Sequence, residues 1–241
     1  MKKLRPIQLT PDAKHKLTKV STATLTTQLK KHGFRDCFLT GVAPLDPNTR
    51  MIGYAVTLRF VPAREDMAER VAKPHQSPQR LAVEAAGSED VLVVDARGET
   101  RGAVLGDILA WRMKVAGAAG IVTDGAMRDT PACAEIGLPI YMQAANANSS
   151  HAYHHPADWN VLIGCAGVLI EPGDIIVGDS EGVVAIPAHI AETIAHATYE
   201  QEVREQYILE LVQAGQGTLD IYPPNDKTLA GFTAWRQEKG L

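Results

Sequence analysis

An α/β fold with a parallel sheet at its centre is predicted by three features that follow one another along the chain. Val91, Leu92, Val93 and Val94 form a short apolar, β-branched run with an acidic approach and an Asp95-Ala96-Arg97-Gly98 exit, the pattern of a buried strand. Gly106-Asp107 then precedes Ile108, Leu109, Trp111, Met113 and Val115, a mostly apolar helical segment closed by Gly117 and Gly120. Gly120-Ile121-Val122-Thr123-Asp124-Gly125 reads as a second strand stopped by a glycine turn. A crossover of this length makes the two strands parallel, so the loops leaving them open on the same edge of the sheet, where parallel sheets bind ligands.

The remaining elements follow in chain order. Thr10-Pro11-Asp12 and Ser21-Thr22-Ala23-Thr24 carry capping residues and start helices, the second running through Leu25, Leu29 and Lys30 to Gly33. Arg50 to Val61 alternates well enough for a long strand. Residues 62–77 are charged and loop-like, and Gln79 to Ala86 forms a short helix. Leu138 to Tyr141, Val161 to Cys165 and Val168 to Ile170 supply short strands, and a Pro172-Gly173-Asp174 turn separates them from Ile175-Ile176-Val177 and Val183 to Ile186. A long helix from Pro187 to about Gly215 places Ile190, Ile194, Tyr199, Val203, Tyr207, Leu211 and Val212 on one stripe, a surface for internal packing or for a subunit contact. Tyr222-Pro223-Pro224-Asn225 and Trp235 read as an arm that could lie on a neighbouring subunit.

Strand direction gathers a chemical constellation. Asp107 is followed, after twenty intervening residues, by Arg128-Asp129, and both should meet on the ligand edge. Backbone N–H groups at Gly106, Asp107, Ile108 and Leu109 form a helix N-terminus, which favours a small carboxylate or phosphate. Arg128 can clamp the same anion through two N–H bonds. Asp129 is a hard oxygen donor suited to a magnesium or manganese ion held mainly by substrate and water. Alone, Asp107 would be a helix cap and Arg128-Asp129 a solvated loop pair; their arrangement behind one crossover favours function.

Composition excludes several other classes. A formal charge of −4 and 5% aromatic residues give no basic, stacking footprint for nucleic acid. No apolar run reaches the roughly eighteen residues of a membrane span, and Lys2-Lys3 is not followed by the apolar core of a signal peptide, so a cytoplasmic location is expected. Cys37, Cys133 and Cys165 are odd in number, with no CxxC pair, and read as buried free thiols. His151, His154 and His155 sit in an Asn/Ser/Ala-rich stretch, residues 144–158, read as a polar surface loop; transition-metal binding and contact with the distal end of a substrate are the alternatives. Asp174, Asp179 and Glu181 are read as turn-shaping acids, and Glu200, Glu202 and Glu205 as a solvated helix face. No linker divides the 241 residues, which are read as one domain, 1–241.

Two blocks carry a family likeness: Gly106-Asp107 with its twenty-residue gap to Arg128-Asp129, and Glu171-Pro172-Gly173-Asp174 through Gly178-Asp179-Ser180-Glu181-Gly182-Val183-Val184, closed by Ile186-Pro187. Here the chain resembles the class II 4-hydroxy-4-methyl-2-oxoglutarate and 4-carboxy-4-hydroxy-2-oxoadipate aldolases, the family that also contains the regulator of ribonuclease activity A. The resemblance covers about residues 18–212 and leaves 213–241 as a C-terminal arm. It implies a layered α/β/β/α sandwich of the RraA-like type, similar to swivelling phosphohistidine domains, with helical extensions at both ends. It further implies a lyase that cleaves a 4-hydroxy-2-oxo acid to pyruvate. Asp129 would hold magnesium or manganese, Arg128 and residues 106–109 would bind the pyruvate-like end, and Asp107 would position a water for proton transfer. Oxaloacetate decarboxylation is a natural second activity because it passes through the same enolate. A homotrimer or homohexamer is implied, with an acid from the C-terminal region of an adjacent subunit, Glu202 or Glu205, reaching the site. The alternatives are a decarboxylase or hydro-lyase on another oxo acid, or a non-catalytic ribonuclease-binding regulator.

Overall fold

The computed structural model describes residues 5–67 and 74–240. Residues 68–73, part of the charged 62–77 stretch, and Lys2-Lys3 lie outside the described residues. Helices α1 (Pro11–Leu17) and α2 (Thr22–Lys31) start at Thr10 and Ser21, whose side chains accept the N–H groups of Ala13 and Thr24, caps that contribute roughly 1 kcal/mol each. Then come β1 (Ala43–Pro44), β2 (Met51–Pro62), α3 (Pro78–Ala85), β3 (Asp90–Asp95), β4 (Ala103–Leu105), α4 (Asp107–Val115), β5 (Gly120–Met127), α5 (Thr130–Glu135) and β6 (Ile140–Ala145). The second half holds β7 (His154–Trp159), β8 (Ile163–Cys165), β9 (Val168–Ile170), β10 (Ile175–Asp179), β11 (Gly182–Ile186), α6 (Ala191–Gln213) and α7 (Asp226–Lys239).

Among the described residues, nine strands form one sheet in the order β1-β6-β5-β3-β2-β10-β11, with β4 on β5 and β7 on β2, while β8 and β9 pair separately. β2, β3, β5 and β6 are mutually parallel, as the crossover predicts. The two-residue period of each strand sorts its side chains between layers. Leu92 and Val94 of β3 pack with α3, α4 and α5 through Ala82, Val83, Ala110, Met113 and Cys133. Ile175, Val177, Val184 and Ile186 of β10 and β11 face α1, α2 and α6 through Leu17, Leu25, Leu29 and Ile194. The opposite faces of both halves, including Val91, Val93, Ile176 and Val183, meet in an interior cluster with β8 and β9. The sheet therefore folds back on itself between two outer helical layers, the α/β/β/α sandwich. Closure is tight: a Cβ added to Gly178 on β10 would lie 2.6 Å from Tyr141 on β6, a strand far from it in the sheet order. No described helix is long and apolar enough to cross a membrane.

Three expectations are corrected. Asp124-Gly125 does not stop the second strand: β5 continues to Met127, with a register shift between Thr123 and Ala126. The 144–158 stretch is not all loop, because β6 reaches Ala145 and β7 begins at His154. The glutamates of the long helix are not a free solvated face: Glu200 pairs with Arg236 at 2.6 Å, Glu202 with Ser21, and Glu205 with Gln201. The start of α2 returns to Glu202 and the C-terminal arm to Glu200, whereas Glu205 bonds one turn back on its own helix. Within the chain the arm lies on α6, where Trp235 Nε1 donates to Glu210 at 2.8 Å and Tyr207, Phe232 and Trp235 form a ring cluster.

Candidate active site

β4 makes the site possible. It takes up the lane that β3 leaves, pairing Ala103 with Ala126 and Leu105 with Met127 in parallel. Arg128 N donates to Leu105 O at 3.0 Å, so the Gly106 helix start and the Arg128-Asp129 pair leave neighbouring lanes side by side. Gly106 has an extended backbone, φ −134 and ψ −170, so its glycine serves space and not an unusual conformation. A Cβ there would lie 2.7 Å from Asp129 Oδ2 and 2.9 Å from Arg128 Cγ.

Asp129 caps α5 in the left-handed region, φ 54, where Asp is tolerated better than most side chains. Its Oδ2 accepts Arg128 Nε at 2.9 Å, and both side chains are about two-fifths exposed (43% and 38%), so the pair orients more than it stabilises. Asp107 Oδ1 accepts the Ile108 N–H at 2.8 Å and so occupies one of the four N–H groups predicted for the anion socket. Ile108 is 75% exposed at the rim, whereas Leu109 packs on the core. The structure thus brings together Gly106, Asp107, Ile108, Leu109, Arg128 and Asp129. Glu202 is placed elsewhere in the chain, accepting the Ser21 N–H at 2.8 Å and Ser21 Oγ at 2.7 Å.

Cys133 forms the floor. Its N–H donates to Asp129 O at 2.9 Å and its thiol to Arg128 O at 3.6 Å. Burial, then the charges of Asp107 and Asp129, push the thiol up to about 11, so it is protonated at neutral pH and no nucleophile. A disulfide exchange reagent at pH 8 should leave Cys133 unmodified in the folded protein and label it in denaturant. Labelling at equal rates in both states would contradict a buried thiol.

For a divalent ion, the donor set is decisive. Among the described residues no group of three or more His, Cys, Asp or Glu side chains is disposed to hold a metal. Asp129, with Asp107 nearby, offers only hard carboxylate oxygen, which fits magnesium or manganese completed by water and substrate and does not fit a closed protein cage.

Of the three histidines only His151 lies on the surface; His154 and His155 are buried. His154 is fully buried, edge-on to Phe60, with Nε2 3.0 Å from Gly102 O and Nδ1 3.3 Å from an Arg97 nitrogen. A carbonyl at Nε2 makes it the N–H, leaving Nδ1 as the acceptor. His155 Nε2 contacts Arg64 O at 3.0 Å, while His151 is exposed. Burial, reinforced by Arg97, lowers the His154 pKa below 6.5 despite the Gly102 bond. Between that lowered value and 6.5 the unfolded chain binds more protons than the folded one, so stability falls as pH drops through this window. Denaturant melts at pH 7.5 and 5.5 should show a loss that His154→Gln reduces. An equal loss in the variant would remove His154 as the cause.

Asp174 and Asp179 bond turn and cap N–H groups, those of Glu171 and Ala188 and of Glu181 and Thr22, the structural role their turns imply. The only sequence signal of Asp124 is a charged residue inside an apolar strand. A cleft of about 810 Å³ bordered by Phe34, Cys37, Asn160, Leu169, Asp174 and His189 contains none of the converging residues. The chemistry of the Gly106 and Asp129 edge outweighs the size of that cleft.

The family model described as RraA-like, Aldolase/RraA, matches residues 22–185. The chain is 33% identical over 188 residues to a Halalkalibacterium halodurans protein named "Putative 4-hydroxy-4-methyl-2-oxoglutarate aldolase", covering 76% of this chain and 84% of that one. Streptomyces coelicolor RraAS2, described as an unusual member of the RNase ES inhibitor RraA protein family, superposes with TM-score 0.74 at 33% identity, covering 83% of this chain and 97% of that one. An uncharacterized Pseudomonas syringae protein shares the fold at TM-score 0.76 and 24% identity over 88% of this chain and 96% of its own. With its sandwich, its paired glycine and Arg-Asp motifs and these matches, the chain belongs to the RraA-like family.

Proposed function

We propose that this protein is a divalent-metal-dependent lyase that cleaves a 4-hydroxy-2-oxo acid by an aldol reversal, releasing pyruvate. The observation that carries this function is the packing of Gly106 against Asp129 Oδ2 and the Arg128 side chain, which joins an anion socket, a guanidinium and a hard carboxylate in one place. The α4 N-terminus and Arg128 bind the C1 carboxylate and 2-oxo end, orienting the C3–C4 bond. The C4 hydroxyl gives its proton to a water held by Asp107, whose Oδ1 is already fixed by Ile108 N–H. The C3–C4 electron pair moves into a C2–C3 double bond, C4 becomes a carbonyl, and negative charge grows on the 2-oxo oxygen beside Arg128. The same water returns a proton to C3, completing pyruvate. A magnesium or manganese ion held at Asp129 would supply Lewis-acid stabilisation of the 2-oxo oxygen.

Oxaloacetate decarboxylation passes through the same enolate and is a second proposed activity, and a hydro-lyase would share the binding half of the site. A ribonuclease-binding role has support from the description of the Streptomyces relative, but Asp129 favours chemistry. Assembly as a trimer or hexamer in the cytoplasm accompanies the proposal, with Glu202, whose Oε1 accepts from Ser21, as the acid supplied across an interface. The test is a panel of 4-hydroxy-2-oxo acids and oxaloacetate, with pyruvate release followed with magnesium, with manganese and with a chelator. Metal-dependent release is expected. Absence of turnover on the whole panel, with tight binding to a ribonuclease, would replace the lyase with the regulator.

A further inference from the structure

We propose that Asp124 is the positioning residue of this site, its carboxylate spanning a break in the strand lane and thereby fixing the Gly106 helix start relative to Arg128-Asp129. Its catalytic consequence rests on the lyase function above; its structural consequence does not. β3 is registered to β5 from Val91 opposite Gly120 to Val94 opposite Thr123, and β4 resumes with Ala103 opposite Ala126. No residue of β3 or β4 is registered to Asp124 or Gly125, and at the same point β5 shifts register against β6.

The Asp124 carboxylate takes the place of the missing strand. Oδ1 accepts Ala96 N–H at 2.6 Å, and Oδ2 accepts Gly98 N–H and Ala166 N–H, both at 3.1 Å. One group thus ties together the β3 exit, the excursion leading to β4 and the β8–β9 turn. Asp124 is 4% exposed and its bond to Ala96 N–H is buried, so losing that bond leaves a buried N–H unpaired, while the bonds to Gly98 and Ala166 are part-buried. Gly125 N–H donates to Thr123 Oγ1 at 3.0 Å, and a Cβ at Gly125 would lie 2.5 Å from Ala96 Cβ, so the β3 exit sits directly on the shifted segment. Irregularities of this kind re-aim the strand beyond them. Here the residues beyond are Ala126 and Met127, which pair with β4, and then Arg128 and Asp129.

Asp124→Asn keeps size but turns an NH2 toward a donor. Asp174→Asn is the control: Asp174 is similarly buried (7% exposed) and accepts the N–H groups of Glu171 and Ala188 away from the site. Both variants should melt lower than the parent. Only Asp124→Asn should speed hydrogen exchange at amides 105–109 and 128–133, by about tenfold or more at temperatures well below melting. Only Asp124→Asn should lower kcat, by about tenfold or more, with a smaller change in KM, because the transition state needs both halves in place at once. Thr123→Val, which frees the Gly125 N–H, should move exchange in the same direction to a smaller extent and serves if Asp124→Asn does not fold. Unchanged exchange at both segments in the folded variants overturns the positioning role, whatever the activity. Faster exchange in a protein whose parent turns over no oxo acid upholds the positioning role and overturns the lyase.

Discussion

Asp129→Asn should reduce metal-dependent pyruvate release by about a thousandfold or more while leaving the fold intact. Asn matches Asp in size and also accepts the left-handed backbone, φ 54, that Asp129 holds at the start of α5. The lost ion pair with Arg128 is about two-fifths exposed and worth about 0–1 kcal/mol. Lost with it is the anionic oxygen proposed to hold the metal, whose Lewis acidity amounts to several kcal/mol, at about 1.4 kcal/mol per factor of ten. Coupling pyruvate to a dehydrogenase gives the rate, and a thermal melt gives the stability. A variant within tenfold of the parent rate at saturating magnesium would show that Asp129 does not hold a catalytic ion.

Gly106→Ala should separate activity from stability in a different way. Its backbone is open to any residue, and exchanging glycine for alanine at a helix N-cap costs about 0.5–1 kcal/mol. The added methyl, however, would lie 2.7 Å from Asp129 Oδ2 and 2.9 Å from Arg128 Cγ, closer than carbon approaches either. The carboxylate, the guanidinium stem or the helix start must give way, and a displacement near 1 Å costs about a hundredfold in rate. A loss of about that size in kcat/KM, with little change in melting temperature, is expected. Full activity would mean that these groups are not held together during turnover.

Sequence made the parallel frame legible because Val91 to Val94 and Ile121 to Val122 are apolar runs rich in β-branched residues around one mostly apolar crossover helix. The same frame led to Gly106, Arg128 and Asp129, all tied to strand ends. β4 was not legible, since three residues carry no period and its pairing depends on the lane that β3 vacates. Asp124-Gly125 reads locally as a turn, and only backbone donors from positions 96, 98 and 166 keep it inside a strand. His154 looked solvated in its polar neighbourhood, yet Gly102 O and the Phe60 ring, both distant in sequence, bury it. Glu202 meets Ser21 from 181 positions away, a partnership that no helical pattern announces.

The left-handed turn at Asp129 also constrains how such a protein can change over generations. Asp, Asn and Gly occupy that backbone at low cost, whereas Glu, with its longer chain, does not share the preference. A lineage can therefore shed the acid by a single exchange to Asn or Gly and keep the turn that starts α5. Exchanging it for the other acid would strain the turn instead. Under the function proposed above, that single exchange would remove the metal ligand and spare the scaffold, in a family whose relatives are named both for an aldolase and for ribonuclease inhibition.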